Sequence, residues 1–190
     1  MAIPLSLITN SSLLMNLKRP ALFLITALIG LTACQSLSRP NSDAKPIHHQ
    51  EWDSLLKAHV KDNGLVDYQG FRADSSRLNA YLTKLSNHHP NNQNWSRNQQ
   101  LAYWINAYNA FTIKLVLKHY PIASIKDIVN GPNIPFVNSP WDIQFIEIEG
   151  QTYDLNNIEH GIIRERFQEP RIHFAVNCAS ISCPKLRPEA

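Results

Sequence analysis

The amino-acid sequence predicts a single helix-rich α+β domain with a long central helix and a small, mostly antiparallel sheet. Apolar residues recur at helical spacing in several stretches after residue 50, and only short stretches alternate as strands do. The 190 residues have the composition of an ordinary globular protein, with 44% hydrophobic and 17% charged residues. This composition excludes a collagen, a coiled coil, a disordered chain and a disulfide-rich miniprotein.

Helical periodicity accounts for most of the first two thirds of the domain. Helices are expected over residues 51–60, 75–85, 97–119 and, as a short piece, 124–129. Gly64 ends the first helix, and an extended piece follows at residues 65–68. The third helix is the longest: Ser96 is its candidate N-cap, Pro121 stops it, and its apolar stripe places it at the centre of the domain.

The last third of the chain combines strands with one helix. We expect a strand over residues 143–149, a turn at 150–151 back into 152–153, a helix from Asp154 to about Phe167, and a strand over 171–177. Ile172, Phe174 and Val176 would share one face of that last strand. His173 would point to the opposite face.

The first 33 residues predict a secretory signal of the lipoprotein type. Lys18 and Arg19 precede a 13-residue apolar run, which is shorter than the roughly 20 apolar residues of a transmembrane helix. The tetrapeptide Leu-Thr-Ala-Cys that ends at Cys34 resembles the lipobox of bacterial lipoproteins, whose Cys thiol receives a diacylglycerol. The alternative is an ordinary signal peptide with a coincidental cysteine. Translation from Met15 instead of Met1 would give a more compact signal.

The chain is therefore expected to have three parts. Residues 1–33 are the lipoprotein signal peptide, 34–50 a polar tether anchored by lipid on Cys34, and 51–190 the folded domain. Acyl chains such as palmitate would make the membrane a partner, and several chains anchor stably where one binds reversibly. The expected location is the cell envelope, and in a Gram-negative host Gln35 after the cysteine indicates the outer membrane, facing the periplasm.

Charge argues against nucleic acid as a partner. The chain has 18 Lys and Arg against 15 Asp and Glu, but the signal holds two of the basic residues and no acidic one. The mature chain then has a net charge of +1 with both signs mixed along it, and it lacks the basic stripe that phosphate neutralisation requires. No cofactor is expected.

One group of candidate catalytic residues lies around Cys178. A cysteine nucleophile needs a base nearby to hold the thiolate, and His173 precedes Cys178 by five residues. At about 3.3 Å per residue along a strand, the two side chains are too far apart to bond unless the chain turns after Asn177.

The helix before that strand supplies an alternative base, His160, with Glu159 as a candidate orienting group. Adjacent positions of an α-helix point about 100° apart, so these two cannot face one spot squarely, whereas His160 and Arg164 share a face. Gly161 suggests that another backbone approaches closely.

The central helix adds a pair of amides, Asn106 and Asn109. Buried amides need hydrogen-bond partners, so we expect these two to bond loop backbones and fix the fold. The alternative is that they orient a substrate or an imidazole.

The sequence leaves three roles open for Cys178 and Cys183. Export places the domain in an oxidising compartment, where cysteines five residues apart can close a small disulfide loop. Alternatively Cys178 is a nucleophile, or the pair is redox-active or linked to a metal, although the spacing is not a zinc pattern. The histidine pairs at 48–49 and 88–89 lie in the tether and in a loop, and we expect them to be solvated.

Three motifs, in order along the chain, resemble the family called domain of unknown function 547. They are AYWINAYNAFT at 102–112, IEHGIIR at 158–164 and RIHFAVNCASISCP at 171–184. The resemblance covers roughly residues 51–190; the family occurs in exported bacterial proteins and, fused to other segments, in plants. It implies that the candidate residues lie in signature segments, but it implies no activity. Such domains normally run well past the Cys-Pro motif, so the domain is expected to be incomplete at its C-terminus.

Two functions remain open. The first is a thiol-dependent envelope enzyme for acyl transfer or hydrolysis, with Cys178 as nucleophile, His160 or His173 as base, and Glu159 or Asn106 as the orienting group. The second is a non-catalytic lipoprotein module, stapled by a Cys178–Cys183 disulfide, that binds an envelope protein, a peptide or a small molecule. The redox state of Cys178 separates them.

Overall fold

The computed structural model describes residues 43–129 and 139–190. The predicted signal peptide, the lipid-attachment candidate Cys34 and the first part of the tether lie outside the described residues. None of the helices in the described ranges is long and apolar enough to cross a membrane.

The described elements are mainly helical. The helices are α1 (Gln50–His59), α2 (Tyr68–Ala73), α3 (Ser75–Ser86), α4 (Arg97–His119), a π-helix (Asn157–Arg164) and α5 (Glu165–Phe167), with 3-10 helices at Ile125–Val129, Pro140–Asp142 and Pro170–Phe174. Two strands, β1 (Ile146–Ile148) and β2 (Gln151–Tyr153), pair antiparallel. The predicted helix-rich α+β class is confirmed.

Helix α4 is the centre of the domain. It begins with a capping box, in which the Ser96 hydroxyl accepts from Gln99 N–H and the Gln99 side chain accepts from Ser96 N–H. Buried side chains then occupy nearly every face between Tyr103 and Val116, as in a helix surrounded by its neighbours. Helices α2, α3 and the π-helix contact α4, and α1 packs on α3.

The β-hairpin closes through a tight turn. Ile146 pairs with Tyr153 and Ile148 with Gln151, and the turn residues Glu149 and Gly150 have φ of 46° and 77°. Two consecutive positive φ values are typical of a turn whose twist matches that of the two strands. Glu149 N–H also donates to Ser86 O at 2.8 Å, which ties the turn to the end of α3.

One local prediction is wrong, and one helix was missed. The strand expected over 171–177 is a 3-10 helix, because Pro170 stands in its first turn and the Glu169 carboxylate accepts from Arg171 N–H. Its apolar residues do not alternate in burial: Ile172 and Val176 are buried, whereas Phe174 is 68% exposed. Helix α2 was not predicted at all.

The start of α2 explains that omission. The extended piece expected at residues 65–68 ends at Asp67, whose carboxylate accepts from Gly70 N–H at 3.0 Å and caps a helix of only six residues. A helix this short offers too few turns for periodicity to reveal it.

Candidate functional site

The candidate site is built on the segment that follows the last 3-10 helix, and α4 holds that segment in place. Asn109 Nδ2 donates to Ala175 O at 2.9 Å, and Asn109 Oδ1 accepts from Asn177 N–H at 2.8 Å. Asn177 in turn donates through Nδ2 to Pro184 O at 2.7 Å and accepts from Ala179 N–H at 3.0 Å. Two amide side chains therefore fix both ends of the loop between them.

That loop carries both cysteines, and they are joined. Cys178 and Cys183 form a disulfide with Cα atoms 6.1 Å apart. Cys178 N–H donates to Cys183 Sγ at 3.2 Å, and Trp141 Nε1 donates to Cys178 O at 3.1 Å. A sulfur in a disulfide is not a thiolate, and the thiolate is the nucleophilic form. In this arrangement Cys178 has no free thiol.

The two candidate bases lie on the surface. His160 on the π-helix and His173 on the 3-10 helix are exposed, and the His173 ring stacks edge-on against exposed Phe174 with centroids 5.3 Å apart. Within residues 43–129 and 139–190, neither imidazole makes a hydrogen bond or an ion pair. The structure does not pair either histidine with Cys178.

Glu159 makes a different pairing from the one expected for an α-helix. Its Oε1 accepts from Arg164 Nη2 at 2.7 Å and Nε at 3.1 Å. A π-helix brings residues five apart closer to one face than an α-helix does, which allows this pairing. Burial of Tyr108 on α4 raises the pKa of its hydroxyl well above the usual value, and the charge of Glu159 raises it further.

Gly161 has open space around it. A Cβ built at this residue meets no atom within 4 Å. The expected close approach of another backbone is therefore wrong, and a side chain at this position would meet open space.

Asn106 lies one turn before Asn109 on α4 and is equally buried, with 4% of its surface exposed against 6%. Its surroundings differ, because it lines a cavity of about 530 Å³. The cavity is lined by Asp53, Ala102, Ile105, Asn106, Asn109, Ala175, Leu186, Arg187, Glu189 and Ala190. The sequence offered no signal for this cavity, since α1, α4 and the last five residues contribute to it from distant positions.

The two histidine pairs are not simply solvated. His49 is half-buried beside Tyr81 with Nδ1 2.7 Å from its hydroxyl, and burial, followed by the charges of Lys84 and His48, lowers the pKa of His49 to about 4. His89 packs edge-on against Trp104, and burial lowers its pKa. Both His49 and His89 pack against buried aromatic residues of the hydrophobic core.

A metal-binding cluster is absent from the part of the chain that the structure describes. There, no group of three or more His, Cys, Asp or Glu side chains is arranged to hold a metal ion. The Cys178 and Cys183 sulfurs are committed to each other.

The fold and the site define a small helix-rich α+β domain with a disulfide-closed loop fastened to its central helix. The model of the family described as "Protein of unknown function, DUF547" matches residues 92–190, which is just over half of the chain. The chain belongs to this family. No curated protein and no solved structure matches it.

Proposed function

We propose that the protein is a cell-envelope lipoprotein whose folded domain is a non-catalytic binding module. The observation that carries the proposal is the Cys178–Cys183 disulfide, which occupies the sulfur that a thiol-dependent enzyme would need. The partner is an envelope protein, a peptide or a small molecule.

The surroundings of the disulfide support a structural role. Asn177 fastens the loop by two hydrogen bonds, Asn109 holds Asn177, and Trp141 binds the Cys178 carbonyl. A catalytic thiol would instead need an imidazole in reach, and both His160 and His173 point to solvent without a described partner.

The predicted route of export agrees with this chemistry. A signal of the lipoprotein type would deliver the domain to an oxidising compartment, where disulfides form and persist. Lipid on Cys34 would hold the domain at a membrane surface. The polar tether up to about residue 50 would let the domain extend away from that surface.

Thiol titration tests the proposal. The full chain carrying Cys34→Ser is purified from the periplasm and treated with iodoacetamide near neutral pH, before and after denaturation with reductant. We expect no labelling of the native protein and labelling of both Cys178 and Cys183 after reduction. A single thiol labelled in the native protein, and labelled more slowly in His160→Ala or His173→Ala, would instead identify a thiol-dependent enzyme for acyl transfer or hydrolysis.

A further inference from the structure

We propose that the cavity beside Asn106 binds an uncharged, amide-containing ligand of the peptide class, and that the Asn106 side chain forms paired hydrogen bonds with the N–H and C=O of one extended residue of that ligand. This inference names the ligand class of the proposed binding module and rests on that proposed function. The observations behind it are the cavity, one unpartnered amide and the pairing of every charge around it.

The size of the cavity suits a small ligand. Its volume of about 530 Å³ lies inside the range of roughly 300–1,000 Å³ that small-molecule sites occupy. Ala102 and Ile105 from α4 and Leu186 from the last segment give it apolar walls, against which a small aliphatic side chain would pack.

Asn106 is a buried amide without a hydrogen-bond partner among the described residues. Only 4% of the Asn106 surface is exposed, yet its side chain makes no hydrogen bond with any residue that the structure describes. An unpaired buried amide costs about 1–3 kcal/mol, and native proteins rarely leave one without a reason. Asn109, one turn further along the same helix, has both of its amide atoms paired.

The Asn106 amide opens into the cavity. Among the described residues, Trp52 Nε1 is the one side-chain polar atom that is both sealed from solvent and without a partner. The unpartnered amide atoms of Asn106 therefore retain some accessible surface, and the space next to Asn106 is the cavity that it lines.

The charged side chains around the cavity neutralise one another. Asp53 binds Lys57 Nζ at 2.6 Å and accepts from Ala190 N–H at 3.2 Å, and Arg187 forms an ion pair with Glu189. A charged ligand would have to compete with these pairs, which favours an uncharged one.

The hydrogen-bonding groups of the Asn106 side chain indicate what kind of ligand they can bind. The Asn106 side chain donates through Nδ2 and accepts through Oδ1, so a ligand with a carbonyl and an N–H side by side satisfies both groups. A residue in extended conformation has this arrangement, because its own N–H and C=O point to the same side, whereas those of a single trans peptide bond point apart. The small side chain of that residue would meet the walls formed by Ala102, Ile105 and Leu186.

The test is an NMR titration of the full chain carrying Cys34→Ser with N-acetyl-alanine N-methylamide. The matched probe is the ester of the same shape, methyl O-acetyl-lactate, which lacks both N–H groups. We expect saturable shifts of the Asn106 side-chain amide, contacts between that amide and the probe methyl groups, and binding in roughly the millimolar range for so small a ligand. The ester should bind at least tenfold more weakly.

Variants locate the binding. Asn106→Leu should weaken binding of the amide probe at least tenfold, and Asn106→Asp, which keeps the shape but loses the donor, should also weaken it. Asn79→Leu makes the same change on the exposed face of α3 and should leave binding unchanged. Absence of saturable shifts in the parent chain, or equal affinity for the amide and the ester, would overturn the proposal.

The two proposals fail separately. If the amide probe does not bind but the cysteines are disulfide-bonded and unreactive, the cavity proposal fails and the proposed binding module stands. A reactive Cys178 thiol together with amide binding at Asn106 would overturn the non-catalytic module, and the cavity would then be a substrate site.

Discussion

Asn109 Oδ1 on the central helix accepts the backbone N–H of Asn177 at 2.8 Å, immediately before the disulfide-bonded Cys178. Through this bond and its second bond to Ala175 O, one side chain of α4 fixes the entry to the loop. The loop's position therefore depends on a helix about 70 residues earlier in the chain.

Replacing Asn109 should destabilise the domain strongly. Asn109→Leu removes both bonds and leaves the Ala175 carbonyl and the Asn177 N–H unpaired, so we expect a loss of about 2–4 kcal/mol in the free energy of unfolding. Urea denaturation followed by circular dichroism measures it. Asn106→Leu is the matched variant: because it removes no hydrogen bond within the described structure, the free energy of unfolding should stay within about 1 kcal/mol of the parent or rise. Equal losses in both variants would contradict the distinction between the two amides.

Removing the disulfide should cost less. The bond closes a loop between residues five apart in sequence, and the loop-entropy relation gives about 2 kcal/mol for so short a loop. We expect this loss in the double variant Cys178→Ser/Cys183→Ser, measured by urea denaturation. Reductant should lower the stability of the parent chain and leave the double variant unchanged. A double variant as stable as the parent would show that the hydrogen bonds of Asn177 alone hold the loop.

The sequence could predict what depends on neighbouring residues. Ser96 and Gln99 define the start of α4 three residues apart, and the turn at Glu149 and Gly150 reverses the hairpin by its own backbone conformation. Both features follow from local chemistry: the Ser96 cap was predicted, and the turn was predicted one residue later, at 150–151.

What depends on packing was not predictable. The cavity joins Asp53 on α1 to Leu186 near the last residue, and no local pattern reports that proximity. The 3-10 helix at Pro170–Phe174 lies where a strand was predicted, because Pro170 and the cap by Glu169 favour a helical turn that the alternation of apolar residues did not reveal. The π-helix pairs Glu159 with Arg164, which a helix of normal pitch would not do.

Two glycines should respond oppositely to alanine. A Cβ at Gly70 would lie 2.4 Å from His59 Nδ1 and 2.7 Å from Asp67 Oδ2. The His59 ring cannot move away freely, because its Nε2 binds Asp74 at 2.8 Å. Gly70→Ala should therefore cost about 1–3 kcal/mol through overpacking, although alanine is the better helix former. Gly161→Ala meets nothing and should stabilise the domain by about 0.5–1 kcal/mol. Thermal melts of both variants check the signs, and a stabilised Gly70→Ala would contradict the clash.

Acid should weaken the domain through His49. Its pKa is about 4 in the folded domain against an ordinary value of 6.5, so the unfolded chain takes up the proton first. The stability from the neutral ring is complete above about pH 6.5 and is lost as the pH falls toward 4. After allowance for the exposed part of the ring, we expect a loss of about 2 kcal/mol. Urea denaturation at a series of pH values should show a shallower slope in His49→Gln than in the parent chain. The slope that remains in His49→Gln has contributions from His89, whose pKa burial lowers. The carboxyls of Asp74 and Glu169 add to it, because hydrogen bonds with His59 and Arg171 lower their pKa values.

Lipid attachment at Cys34 makes the sharpest prediction about location. Several acyl chains on one terminus anchor a protein stably. Expressed in a Gram-negative host, the parent chain should fractionate with membranes and incorporate labelled palmitate. Cys34→Ser should incorporate no palmitate, because serine lacks the thiol that accepts the lipid. The variant Cys178→Ser/Cys183→Ser is the matched control and should stay with the membranes, since its lipid site is intact. A parent chain that is soluble and unlabelled would show that the signal is an ordinary one and that Cys34 carries no lipid.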